Sequence, residues 1–193
     1  CAETVNRVAD LPLDPAVKRL VCQEFTFYSS TKPDWSNHFD PEGLSFRAYC
    51  GHALLKRLPA GQFSWNQAGL QRSALLEMPI SLKPALLLHV MRMGGLAPCF
   101  EPHMAVLRKP FAALIERECL RSYHRMARTM ELQPQIKGLM AASWLFDEHT
   151  VRLTPHIAFL RKLFEENGGF IGPLRYCEPN PGFLQGSEAR RKA

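Results

Sequence analysis

Glu101 and His103 stand two residues apart in Phe100-Glu101-Pro102-His103. They lie within Ala97–Leu107, where Phe100, Met104, Val106 and Leu107 between Pro98 and Pro110 predict a strand of a buried sheet. Residues two apart on a strand face the same side, so this carboxylate and imidazole could take up a proton together and orient each other, as general-base chemistry requires. A plain polar pair at a strand edge would read the same way. Further along, Trp144-Leu145-Phe146-Asp147-Glu148-His149 closes an apolar run, and Arg152 with Thr154-Pro155-His156 opens the next predicted helix. Asp147 is a further catalytic candidate there, with Trp144, His149 and His156 on the rim of a substrate cleft. Asp147, His149 and His103 would make up a two-histidine, one-carboxylate metal set. No H-x-x-x-H, E-x-x-H or H-x-H spacing accompanies it, and no metal is expected.

Arg108-Lys109-Pro110 falls at the predicted start of a long helix, where free N–H groups and the helix dipole attract anions, so Arg108 and Lys109 are candidates for holding a phosphate. The stretch lacks the glycines of a P-loop or a dinucleotide fingerprint. Arg117, Arg121, His124, Arg125 and Arg128 make a basic stripe on that helix, either a solvated face or a surface for an acidic partner. Nucleophile signatures are missing. Ser143 has no flanking glycines, and the adjacency of Cys50 and His52 is not how catalytic Cys/His pairs meet.

The elements that must position these residues follow from periodicity and caps. Asp14-Pro15 opens a helix over Ala16–Phe27, with Val17, Leu20, Val21 and Phe25 at helical spacing. Ser29–Gly43 reads as an ordered loop, Tyr49–Leu58 as a short helix stopped by Pro59-Ala60-Gly61, and Asn66–Leu76 as another helix. Ser81–Met93 is a helix capped by Ser81 and stopped by Gly94-Gly95. Pro110–Glu131 carries an apolar stripe through Phe111, Leu114, Ile115, Cys119, Tyr123, Met126 and Met130, the mark of a long helix packed by one face. Ile136–Phe146 is a near-continuous apolar run, expected to be a strand covered on both faces. A turn over Asp147–Leu153, a helix from Thr154-Pro155 to Glu166 and a short strand over Phe170–Tyr176 complete the succession. Strand, helix, strand, helix, strand predicts a sheet with parallel pairing in the C-terminal half.

At 193 residues, 46% of them apolar and 22% charged, the chain suits one α/β domain over residues 1–186 with a charged tail, 187–193. The expected layout is a helix-rich N-terminal half on a small mixed, partly parallel sheet. No apolar run approaches the roughly 20 residues of a spanning helix. The net charge of +6 owes three positive charges to Arg190, Arg191 and Lys192. This modest excess favours anionic small molecules and does not call for nucleic acid. The six cysteines form no C-x-x-C and sit mostly beside apolar residues, which fits free thiols in a reducing cytoplasm. Starting at Cys1 without Met and ending in Ala189-Arg190-Arg191-Lys192-Ala193, the chain is expected to have boundaries inside a longer product. Its oligomeric state is left open.

The order of elements from Pro98 to Tyr176 resembles the central part of the GNAT acyltransferase superfamily, over about 80 residues of layout. The resemblance implies acyl-CoA lying between two splayed parallel strands, here Ala97–Leu107 and Ile136–Phe146, with its pyrophosphate near Arg108 and Lys109. Glu101, His103 or Asp147 would face the acceptor amine. The family's Gln/Arg-x-x-Gly-x-Gly/Ala loop has no counterpart between Leu107 and Leu114, and the family opens with a strand where this chain opens with helices. The expected activity is therefore acyl transfer from a CoA-type donor to an amine of a small-molecule substrate. Two alternatives stand beside it: a non-enzymatic binding or regulatory domain using the basic helix face, and a metal-dependent enzyme.

Overall fold

A computed structural model describes residues 2–30, 50–70, 76, 78–96, 98–104, 114–141 and 143–172. Helix α1 (Ala2–Asp10) is followed by α2 (Pro15–Ser30), strand β1 (Arg57–Pro59), strand β2 (Phe63–Ala68), a 3-10 turn (Ile80–Leu82) and α3 (Lys83–Arg92). Strand β3 (Cys99–Met104), α4 (Glu116–Glu131), a 3-10 turn (Trp144–Phe146), α5 (Glu148–Leu153), a 3-10 turn (Pro155–Ile157) and α6 (Ala158–Glu166) complete the order. The class is mixed α and β. Among the described residues no helix is long and apolar enough to cross a membrane.

Among the described residues strands β1, β2 and β3 form one antiparallel sheet in sequence order, where a partly parallel sheet was expected. Among the described residues the parallel partner foreseen for β3 is present only as an isolated bridge from Phe100 to Leu139. Phe100 donates its N–H to the Gly138 carbonyl (2.9 Å) and accepts from the Met140 N–H (2.9 Å), while Lys137 donates to the Pro98 carbonyl (3.1 Å). The next β3 residue facing that edge is Pro102, which has no N–H to offer. Beyond it, Trp144–Phe146 coils into a 3-10 turn instead of extending the strand.

Two further expectations give way. Asn66–Ala68, the start of the helix expected over Asn66–Leu76, belongs to strand β2 (Phe63–Ala68), while 71–75 lie outside the described residues; of the helix expected over Tyr49–Leu58, 50–53 is helical before β1 begins. Ala60 donates to the Phe63 carbonyl (2.7 Å) across a tight turn whose Gly61 has φ +119°, and alternation of Phe63, Ser64, Trp65 and Asn66 sets the two faces of the hairpin. Asp147–Leu153 is not a simple turn either, since Asp147 caps α5, accepting from the backbone N–H groups of His149 (2.9 Å) and Thr150 (3.1 Å). The start of α2 and the stop of α3 behave as read: Asp14 accepts from the Ala16 N–H (2.8 Å), and Gly94 and Gly95 take positive φ after α3, while α2 runs on to Ser30, past the expected end at Phe27 and into the expected loop. Ser81 lies in the 3-10 turn and makes no cap; Leu82 holds that position without a side-chain bond. Helix α4 starts at Glu116, after an extended Ile115, and 170–172 are not strand. The Ser29–Gly43 loop from 31 onward, residues 105–113, 173–176 and the tail 187–193 lie outside the described residues.

One apolar cluster joins α1, α2, the inner sheet face, α4 and α6 through Val8, Val17, Trp65, Phe100, Met126 and Leu160. Helix α4 buries Cys119, Ser122, Tyr123, Met126 and Thr129, a stripe at helical spacing that includes the two aliphatic hydroxyls of Ser122 and Thr129. Both are satisfied. Ser122 Oγ donates to the Glu118 carbonyl (2.9 Å) and accepts from the Gln62 N–H (3.1 Å); Thr129 Oγ1 donates to the Arg125 carbonyl (2.9 Å) and accepts from the Asp14 N–H (3.2 Å). These bonds tie α4 to the hairpin turn and to the start of α2.

Candidate functional site

Side-chain alternation gives the sheet two unlike faces. Phe63, Trp65 and Phe100 point into the core, with Trp65 and Phe100 rings 5.4 Å apart. The opposite face carries Arg57 on β1, Ser64 and Asn66 on β2, and Glu101 and His103 on β3. Pairing register sets Asn66 between Arg57 and Glu101, and sets His103 opposite Ser64. Glu101 and His103 are therefore brought together as the strand spacing required.

Asn66 joins them. Its Nδ2 donates to Glu101 Oε2 (3.2 Å), and its Oδ1 makes a short hydrogen bond with His103 Nε2. His103 Nε2 also lies 3.6 Å from Glu101 Oε2, with the two side chains 35% and 27% exposed, so both can be reached from outside. On the neighbouring strand Arg57 Nε donates to Ser64 Oγ (2.9 Å). Burial and the Arg57 charge hold the His103 imidazole below its ordinary pKa of 6.5, with Glu101 pulling weakly the other way. At neutral pH the ring is thus uncharged and able to accept a proton. Cys99, two residues before Glu101 on the same face, has its thiol pushed up by burial and by Glu101, which keeps it a poor nucleophile.

The remaining residues singled out by sequence are placed differently. Asp147 spends its carboxylate on the cap of α5, and His149 and His156 are exposed on α5 and on the following 3-10 turn. Among the described residues no hydrogen bond or ion pair links any of the three to Glu101 or His103. Trp144 belongs to the 3-10 turn that departs from β3. Arg108 and Lys109 lie outside the described residues. Among the described residues no group of three or more His, Cys, Asp or Glu could hold a metal ion.

Nor does the arginine stripe of α4 form one open basic face. Arg125 Nη1 donates to the Ala60 carbonyl (2.6 Å) at the hairpin turn, Arg121 pairs with Glu118 (2.8 Å), and Arg128 pairs with Glu131. Asn66, Arg57 and Ser64 are the site residues that the sequence does not single out: Arg57 and Asn66 fall in segments that read as helices, over Tyr49–Leu58 and Asn66–Leu76, and Ser64 lies between them. The period-two alternation of Phe63-Ser64-Trp65-Asn66 is the signal for Ser64 and Asn66. No protein-family model, curated protein or solved structure matches the chain.

Proposed function

We propose that the chain is an acyltransferase-like enzyme that moves an acyl group from a CoA-type donor to an amine, with His103 as the proton acceptor, Glu101 and Asn66 as its positioning partners. The observation that supports this reading is the site on the β3 edge where parallel pairing stops. Beyond Phe100 the ladder to 137–140 has no donor at Pro102, and the neighbouring residues of β3 on the opposite face are Glu101 and His103, both hydrogen-bonded to Asn66 of β2. An extended donor carrying amide groups could pair with an open strand edge through its own N–H and C=O groups. A neutral imidazole then lies close to the same segment.

In this reading His103 accepts the proton that the amine loses as its nitrogen bonds to the acyl carbon. The carbon–sulfur bond breaks, the thiolate takes the electron pair, and the imidazolium returns the proton to it. Glu101 and Asn66 hold the ring and stabilise its charged form during the transfer. Arg108 and Lys109 are the proposed pyrophosphate contacts.

The test is release of free thiol from acetyl-CoA in the presence of a panel of primary amines. The expected result is turnover by the unaltered chain and a fall of about 100-fold or more in kcat for His103→Ala. Glu101→Gln and Asn66→Ala should give smaller losses and move the acid limb of the pH profile. Equal thiol release by the unaltered chain and His103→Ala would remove His103 from the chemistry.

A further inference from the structure

Helix α3 is apolar on both of its faces. Its inner side is marked by Leu86, 5% exposed, and by His89, whose ring lies 6.0 Å from that of Phe170. Its outer side carries Pro84, Leu87, Leu88 and Met91, at positions i, i+3, i+4 and i+7, all exposed to solvent. That is the spacing by which a helix lays one face against something, while Leu86 is buried on the side opposite. Leu87 is 52% exposed and Met91 68%, and Ile80, just before the helix, is 83% exposed. An exposed apolar stripe of this extent marks an interaction surface.

Charge narrows down what covers it. Lys83 is the first residue of α3 and Arg92 the last, and no Asp or Glu occurs from Met78 to Phe100. Helices α4, α5 and α6 pair cations with acids of their own: Arg121 with Glu118, Arg152 with Glu148, Arg161 with Glu165. Helix α3 has no acid of its own to do so. A second copy of α3 laid against the first, in either direction, would bring cation against cation at both ends, which disfavours self-pairing. The complementary occupant is apolar along its middle and anionic at its edges. A helix of 10 residues is about 15 Å long, too short to span a bilayer and long enough to lie in the plane of its surface.

We propose that α3 docks on an anionic lipid surface, with Leu87, Leu88 and Met91 in the boundary between headgroups and acyl chains, and Lys83 and Arg92 against the headgroups. The inference is independent of the reaction assigned to the sheet site.

Co-sedimentation with vesicles tests it, using phosphatidylcholine vesicles with and without about one third phosphatidylserine. The chain should bind the mixed vesicles at least about tenfold more tightly than pure phosphatidylcholine, and more weakly as salt rises. A Leu87→Glu/Met91→Glu variant should lose at least about tenfold in binding at an unchanged melting temperature, because both side chains are exposed. Lys83→Glu/Arg92→Glu should abolish the preference for phosphatidylserine while leaving the apolar stripe in place. Sedimentation with neither vesicle, or equal sedimentation by the double glutamate variant, would overturn the proposal. So would a dimer in gel filtration that the same variant converts to monomer, which would assign the stripe to a second copy of the chain.

Discussion

His103 is held uncharged chiefly by burial, and secondarily by the Arg57 charge, and this has a consequence for stability as well as for proton transfer. Its pKa is lower in the folded chain than the ordinary 6.5 that an unfolded chain would show. As pH falls through that window the unfolded chain takes up the proton first, so the contribution of His103 is full above 6.5 and is lost on acidification. Chemical denaturation of the unaltered chain and His103→Gln at several pH values should show the variant with a shallower loss of stability below 6.5. Parallel curves would mean that the ring titrates alike in both states. The shared face of Glu101 and His103 was legible in the sequence because strand geometry alone fixes residues two apart. Asn66 was not, since it meets Glu101 from 35 residues away in a segment whose composition reads as helix. Asp147 was read as a catalytic candidate at a strand end, although an Asp just before a short helix is also the natural cap.

At the scale of elements, the hairpin turn and α4 depend on each other. Gly61 has a positive φ, and a Cβ there would lie 2.8 Å from Arg125 Nη1 and 3.2 Å from Ser122 Oγ, the groups that hold the turn. Gly61→Ala should therefore cost about 1–3 kcal/mol from backbone strain, with the crowding added to it. Thr129→Val leaves the Asp14 N–H without its acceptor and should cost about 1–3 kcal/mol. Urea unfolding of the two variants measures both, and an unchanged midpoint in either case would deny the tie between α4 and its neighbours. Helices α2, α3 and α4 could be read because each shows a run of helical periodicity with a cap or a stop. The hairpin could not, because Pro59-Ala60-Gly61 ends a helix as readily as it turns a strand, and β1 is only three residues long. The run Ile136–Phe146 misled for a different reason. Ile136 and Leu145 are buried, but the segment reaches the core by an irregular path, and an unbroken apolar run has no period to tell strand from coil.

For the molecule as a whole, a single apolar cluster draws on residues from Val8 to Leu160, so the helical start of the chain and its last described helix share one core. Trp65 is its largest fully buried side chain, between the inner sheet face and the helices. Trp65→Ala should cost about 3–5 kcal/mol, and in the unaltered chain far-ultraviolet dichroism and intrinsic fluorescence should report one coincident unfolding transition. Two separated transitions would divide the cluster into independent units. The succession of strand and helix patterns made the mixed α and β class legible, but the strand pairing depended on contacts between distant segments that one sequence does not reveal. The central claim, a donor site beside Glu101 and His103, is tested most directly by the melting temperature of the purified chain with and without acetyl-CoA. At a concentration near 100 times the dissociation constant, a ligand that binds only the folded chain adds about 2.7 kcal/mol, a rise on the order of 5–10 °C for a protein of this size. The account requires that rise, and an unchanged melting temperature across saturating acetyl-CoA would contradict it.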